Sequence, residues 1–195
     1  MVFGGKLDNC DRSLRLLSFL VLFVTSVLCK DEVEQYRMGF GSCFAHKIIY
    51  LGSELFSTFA DKCNPDSFVW LGDSVYTDTY NWNEKKYYLE QDKELVRKNF
   101  KDAKNNTDYQ YFLNTTKAKI YGTWDDHDYG LDNAGKDNPA KDLMRELFLD
   151  FLEEPRDSVR RTRKGGIYES YYLDPQKKIK LILLDNRYSK DEESE

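Results

Sequence analysis

Histidine is scarce in this sequence, with only His46 and His127 among 195 residues. Cysteine is nearly as rare, represented by Cys10, Cys29, Cys43 and Cys63, so a framework of many disulfides is excluded. Positive charge is not in excess: 29 basic residues are interspersed with 34 acidic ones, for a net charge of −5. That balance argues against nucleic acid as the main partner and says nothing positive about a substrate. No apolar run reaches the roughly 20 residues of a membrane-spanning helix, and no internal repeat is visible. What is present suffices for a packed core, since 41% of the chain is apolar and 15% aromatic. The length suits one ordinary domain, or part of a larger one.

The longest apolar run, Leu16–Cys29, follows Lys6, Arg12 and Arg15 and ends abruptly at Lys30-Asp31-Glu32. Its length and flanks match a secretory signal peptide, with Val27 and Cys29 small enough for cleavage after Cys29. A retained signal anchor is the alternative. Residues 1–29 are therefore set apart from the fold, and the expected location is the medium or the secretory lumen, or a membrane to which this segment tethers the chain. Removal of the leader would leave Cys43 and Cys63, which in an exported protein can pair. The sequons Asn105-Asn106-Thr107 and Asn114-Thr115-Thr116 are compatible with glycosylation on that route.

Residues 30–188 read as an α/β domain, and 189–195 as an acidic tail. Glu34–Cys43 alternates Tyr36, Met38 and Phe40, then breaks at Gly39-Phe-Gly-Ser-Cys43, a strand running into a tight turn. Ile48, Leu51, Leu55 and Phe59 recur at helical spacing through Lys47–Lys62, which Asn64-Pro65 stops. Ser67–Leu71 is a short apolar run of the buried-strand kind, delivered into Gly72-Asp73. Strand, helix and strand make a βαβ unit, which implies parallel strands with their C-terminal ends on one edge. One or two amphipathic helices are predicted from Trp82 to about Lys104, with Tyr87, Tyr109 and Tyr111 as packing residues. A third buried strand over Lys119–Trp124, a helix over Asp142–Glu153 ended by Glu154-Pro155, and a basic loop over Arg156–Lys164 follow. Gly166–Leu173 and Lys178–Asn186 read as two further strands.

The densest chemistry lies in Tyr121–Gly135, where Asp125, Asp126, Asp128 and Asp132 surround His127. Carboxylates so crowded repel one another and favour a cation, and oxygen donors with an imidazole suit divalent or ferric ions. A solvated acidic loop is the plain alternative. Gly41-Ser-Cys43, Gly72-Asp73-Ser-Val-Tyr76, Trp124–Asp128 and Asp185-Asn-Arg187 all follow predicted strands, and in an open α/β sheet that shared edge is where ligands bind. Asp73 is placed to bridge two ions with its two oxygens. Tyr76 can reach the same ion as a phenolate or pack on the loop, and Cys43 can ligate as a thiolate or pair with Cys63. His127 can ligate or serve as a general acid, with Asp126 or Asp128 fixing its tautomer.

In chain order, Phe40-Gly-Ser-Cys43, Trp70-Leu-Gly-Asp-Ser-Val-Tyr-Thr-Asp78, Thr123-Trp-Asp-Asp-His-Asp-Tyr-Gly130, Gly166-Ile-Tyr168 and Leu183-Leu-Asp-Asn-Arg187 resemble the motifs of the PhoD-like alkaline phosphatases and phosphodiesterases. These belong to the calcineurin-like metallophosphoesterase superfamily. The resemblance runs from about Arg37 to Tyr188 and implies an α/β/β/α sandwich, of which this sequence holds the N-terminal portion, with a dinuclear metal centre at the strand ends. By the same resemblance Cys43, Asp73 and Tyr76 would hold Fe3+. Asp73 would bridge to Ca2+ or another divalent ion, with Asp125 and Asp132 or Asn133 as further oxygen ligands. The implied activity is metal-assisted hydrolysis of a phosphoester substrate. His127 or Asp126 would protonate the leaving alkoxide, and Arg187 would clamp a nonbridging oxygen, or instead bridge to Asp185 or the 125–128 cluster.

The sequence departs from the family in two places. It reads Asp132-Asn133 where the family reads Asn-Asp, and it contains no later Gly-Asp-x-His segment with the further metal ligands. Two rivals to a phosphatase follow: a catalytically incomplete metal- or phosphate-binding fragment, and a secreted binding domain stapled by Cys43–Cys63 without metal.

Overall fold

In the computed structural model, which describes residues 35–45, 54–174, 176 and 179–191, the chain first extends as β1 (Met38–Gly41). Gly39 has no room for a side chain, because a Cβ there would overlap the Phe59 ring. That ring belongs to α1 (Leu55–Cys63), whose Phe56 and Ala60 are buried and whose end is turned by Asn64 at a φ of 39°. No side chain of its own caps the start of α1. Asp108, about 50 residues downstream, accepts the N–H groups of Phe56 at 2.6 Å and Ser57 at 2.9 Å instead. β2 (Ser67–Leu71) pairs parallel with β1 along its length. The βαβ unit read from periodicity is therefore present. The first half of its predicted helix falls on residues 46–53, outside the described ones.

Between Trp82 and Leu89 the structure has no helix. Asn81 Oδ1 accepts the N–H groups of Asn83 at 3.0 Å and Glu84 at 3.3 Å, and Lys85 adopts a φ of 53°, so the chain reverses. An antiparallel hairpin results, β3 (Thr79–Asn81) against β4 (Lys86–Tyr88), in keeping with the β preference of its threonine and tyrosines. The amphipathic helix starts only at α2 (Lys93–Lys104), where Asp92 caps it by accepting from Glu94 and Leu95. A helix without counterpart in the sequence reading, α3 (Thr107–Thr115), follows, capped by Asn106.

β5 (Lys119–Thr123) pairs parallel with β2, so the sheet order is β1-β2-β5. It is partly exposed and not the buried strand predicted, because among the described residues β2 is its sole partner in the sheet. After the single turn α4 (Asp126–Tyr129) comes α5 (Lys141–Phe151), which buries Met144, Leu147, Phe148, Leu149 and Phe151. The basic stretch is more than a loop. Its turn α6 (Val159–Thr162) directs Arg160 inward, where Nε donates to Ile167 O at 2.8 Å, Nη2 to Gly122 O at 2.7 Å and Nη1 to Glu154 Oε2 at 2.9 Å. β6 (Glu169–Asp174) and β7 (Ile179–Leu183) close the chain as an antiparallel pair, tied to β5 where Thr123 Oγ1 donates to Leu184 O at 2.6 Å.

The architecture is mixed α/β, a parallel sheet with helices and two small antiparallel sheets. One sheet face is packed by an aromatic core in which Phe68 and Trp70 meet Phe56, Phe112, Tyr109 and Phe151, and Trp70 Nε1 donates to the Tyr109 hydroxyl at 3.1 Å. Tyr109 is thus a packing residue, whereas Tyr111 is 44% exposed. Among the described residues no helix is long and apolar enough to cross a membrane. The predicted leader, residues 1–29, lies outside them.

Candidate metal centre

Each parallel strand delivers a polar turn to the same edge. Beyond β1, Cys43 takes a φ of 56°; beyond β2, Gly72 takes 103° and Asp73 takes 51°. Left-handed backbone at a residue with a side chain costs on the order of 1 kcal/mol or more, and the two turns hold each other there. Phe44 N donates to Asp73 O at 2.7 Å, and Cys43 N to Gly72 O at 3.4 Å. Beyond β5, Trp124 is fully buried and anchors the segment. Asp125 and Asp128 then form a reciprocal capping box around α4. Asp128 is tied to the fold by both oxygens, accepting Val75 N at 2.7 Å and Asp125 N at 3.1 Å. Burial pushes its carboxyl up to about 7 against those hydrogen bonds.

Asp73, Asp126 and His127 each bring a ligand atom within 4.8 Å of the others. Asp73 Oδ2 accepts the Tyr76 hydroxyl at 3.3 Å and the Cys43 thiol at 3.8 Å, while its Oδ1 is buried with no partner. Asp126 Oδ2 accepts Asn133 N at 2.9 Å and faces Arg187 Nη2 at 3.4 Å. The tautomer of His127 is set by neither Asp126 nor Asp128. Asp78 does it, with Oδ2 at 2.8 Å and Oδ1 at 3.0 Å from Nδ1, which leaves Nε2 as the free ring nitrogen. Tyr76 stacks on the same ring, centroids 4.2 Å apart, and Tyr87 approaches it at 4.7 Å.

The electrostatics follow from this crowding. Burial raises the Asp73 carboxyl, and the Asp126 and Asp125 charges push it the same way against the pull of His127. Burial also works on Asp126, but the Asn133 N–H and Arg187 outweigh it and hold that carboxyl below its usual range. For His127 burial disfavours the cation, and the Asp78 hydrogen bond and charge overcome it, so the imidazole holds its proton above the usual range. The Tyr76 phenol is pushed up by burial and by Asp73 beside it.

Of the residues singled out in the sequence, Cys43, Asp73, Tyr76, Asp126, His127 and Arg187 converge here. Asp125 does not join the carboxylate–imidazole group; its Oδ1 accepts Arg187 Nε at 2.5 Å and Asn186 Nδ2 at 3.3 Å. Asp132 and Asn133 expose side chains that bond to each other at 3.2 Å. Their contribution is made by main-chain N–H groups, Asp132 to Asp78 and Asn133 to Asp126. Arg187 bridges to the 125–126 carboxylates and keeps one buried nitrogen, Nη1, without a partner. Asp185 is used elsewhere, as its Oδ2 accepts Ile167 N at 2.7 Å.

The Cys43–Cys63 pair is not formed, and both thiols are free. Cys63 shares a surface hollow with Arg37, Met38 and Gly39 at the start of β1, whereas Cys43 follows its end. The four-residue strand, rising about 3.3 Å per residue, lies between them, and a disulfide tolerates only about 7 Å between Cα atoms. Asp78 is the residue that sequence reasoning missed. It stands two positions after Tyr76 in the same motif, and nothing local signals a partner 49 residues away.

No family model, curated protein or solved structure matches this chain. The chemistry is therefore carried by the site's own geometry. Oxygen donors beside an imidazole, with a buried carboxylate oxygen lacking any partner, fit a hard or borderline cation.

Proposed function

We propose that this chain is a metal-dependent phosphoric ester hydrolase of the PhoD-like kind, its strand-end turns forming a metal- and phosphate-binding wall of an α/β/β/α sandwich. The observation that carries this reading is the unpartnered, buried Asp73 Oδ1 among Asp126 and His127. Asp73 and Asp126, with Cys43 and Tyr76 bonded to Asp73, are the residues that would hold Fe3+ and Ca2+ or another divalent ion. Cations bound there would polarise the phosphoryl group as Lewis acids.

The protein's own groups supply the rest. Arg187 Nη1 has a free N–H for a nonbridging oxygen, and Asp125 and Asp126 orient its guanidinium. His127 keeps a proton at Nδ1 through Asp78, which leaves Nε2 as the other ring nitrogen, so its charged form can give the Nε2 proton to a leaving alkoxide. Tyr76 and Tyr87 pack on the ring and limit its rotation. Export through the N-terminal segment belongs to the same reading.

The test is metal content and hydrolysis together. The chain purified with iron and calcium should retain metal after gel filtration and cleave p-nitrophenyl phosphate or its bis-ester. Asp73→Ala should lose both. Retained metal without turnover on any phosphoester would replace this reading with that of a noncatalytic metal-binding fragment.

A further inference from the structure

The β3–β4 hairpin carries a feature that the phosphate-binding wall does not require. Trp82, at its tip, is 83% exposed, whereas Trp70 and Trp124 are 1% and 0% exposed. The Trp82 ring meets Tyr80 edge-on at 4.9 Å, Tyr80 meets its cross-strand partner Tyr87 at 4.7 Å, and Tyr87 meets His127 at 4.7 Å. A continuous run of aromatic rings thus leads from solvent to the imidazole beside Asp73. At the base of the hairpin Thr79 Oγ1 donates to Glu90 Oε2 at 2.6 Å, which ties its two strands together. The outermost ring of this run is left open to solvent while the innermost touches the imidazole.

We propose that Tyr80, Trp82 and Tyr87 form a stacking platform for a planar aromatic group, an aryl or a nucleobase, carried by the phosphoester. This rests on the phosphoester reading, because the platform begins at the ring that borders the charged head group. Aromatic faces in offset or edge contact accept a flat ring in the same arrangements they adopt with one another, and base–aromatic stacking tolerates any planar ring.

Trp82 is the one exposed indole, so shielding it from acrylamide quenching reports occupancy of the platform directly. Calorimetry on the calcium-loaded chain provides affinities independently of hydrolysis. Adenosine 5′-monophosphate and phenyl phosphate should shield Trp82 and bind about 10-fold or more tighter than ribose 5-phosphate. Preference for the nucleotide over phenyl phosphate would assign the nucleobase, and equal binding would assign any aryl ester. Trp82→Ala and Tyr87→Ala should erase the preference, and Tyr87→Phe, which keeps the ring, should retain it. Equal binding of the nucleotide, ribose 5-phosphate and inorganic phosphate overturns the platform and leaves the phosphoester reading standing. Adenosine shielding Trp82 while no phosphate compound binds supports the platform and overturns the phosphoester reading. Phosphocholine as the tightest ligand overturns planar stacking in favour of a cation cage.

Discussion

Asp78 Oδ2 lies 2.8 Å from His127 Nδ1 and accepts the Asp132 N–H at 3.0 Å with the same oxygen. One carboxylate therefore orients the imidazole and fastens the loop beyond it. A partner of this kind raises ring basicity and is typically worth about 10–100-fold in activity or metal affinity. Asp78→Asn should lower turnover by about that factor and bring the His127 pKa down. Only two imidazoles are present, so NMR titration can assign the change once a His46 substitution has identified the other signal. An unmoved His127 titration would contradict the assigned role.

The metal-free protein should lose stability as pH rises. Asp128 holds its proton up to about 7 in the fold but releases it near 3.8 when unfolded. Its proton-linked stabilisation is full below pH 4 and is lost as pH climbs to about 7. Asp73 is shifted in the same direction, and His127, raised above 6.5, loses its contribution as pH passes through its folded value. Asp126, shifted down, has the opposite sign, but its contribution is lost only as pH falls from 3.8 through its lower folded value, so it is constant at neutral pH. In chelator the urea midpoint should fall between pH 5.5 and 8, and calcium should restore most of it at the alkaline end. A midpoint that is flat or rises with pH in chelator would contradict the charge balance described for the site.

Gly72→Ala should destabilise the chain by at least about 2 kcal/mol, since left-handed φ penalises a Cβ and the space is taken. The backbone angle is 103°, and the new Cβ would lie 2.5 Å from Asp125 Cβ. Urea unfolding measures the loss. A change under about 0.5 kcal/mol, the usual scale of a harmless surface substitution, would mean that the turn relaxes freely.

Arg160→Met should be costlier, about 3–5 kcal/mol, because removing one partner of a buried pair strands the other. Glu154, with 12% of its side chain exposed, would lose its ion pair, and the carbonyls of Gly122 and Ile167 would lose their donors. Removing the stranded charge as well, in Arg160→Met with Glu154→Leu, should recover part of the stability in the same unfolding experiment.

Local periodicity was enough to read Ser67–Leu71 as a strand, α5 as a helix and β1-α1-β2 as a parallel unit, because each pattern reports the backbone and the buried face of its own segment. It also placed Cys43, Asp73 and Asp126–His127 at strand ends, and a parallel sheet gathers such ends on one edge. Arg160 was unreadable by the same logic: a run of basic residues describes a solvated loop until a cavity with a carboxylate and two carbonyls is built around one of them. The hairpin was misread because its charged and aromatic residues satisfy a helical pattern as well, and the Asn81 turn decided the matter. Asp78, rather than Asp126 or Asp128, faces Nδ1 of His127 because α4 turns the ring towards the loop after β2. A side chain's partner across 49 residues depends on how the elements pack, and spacing along the chain carries no record of that.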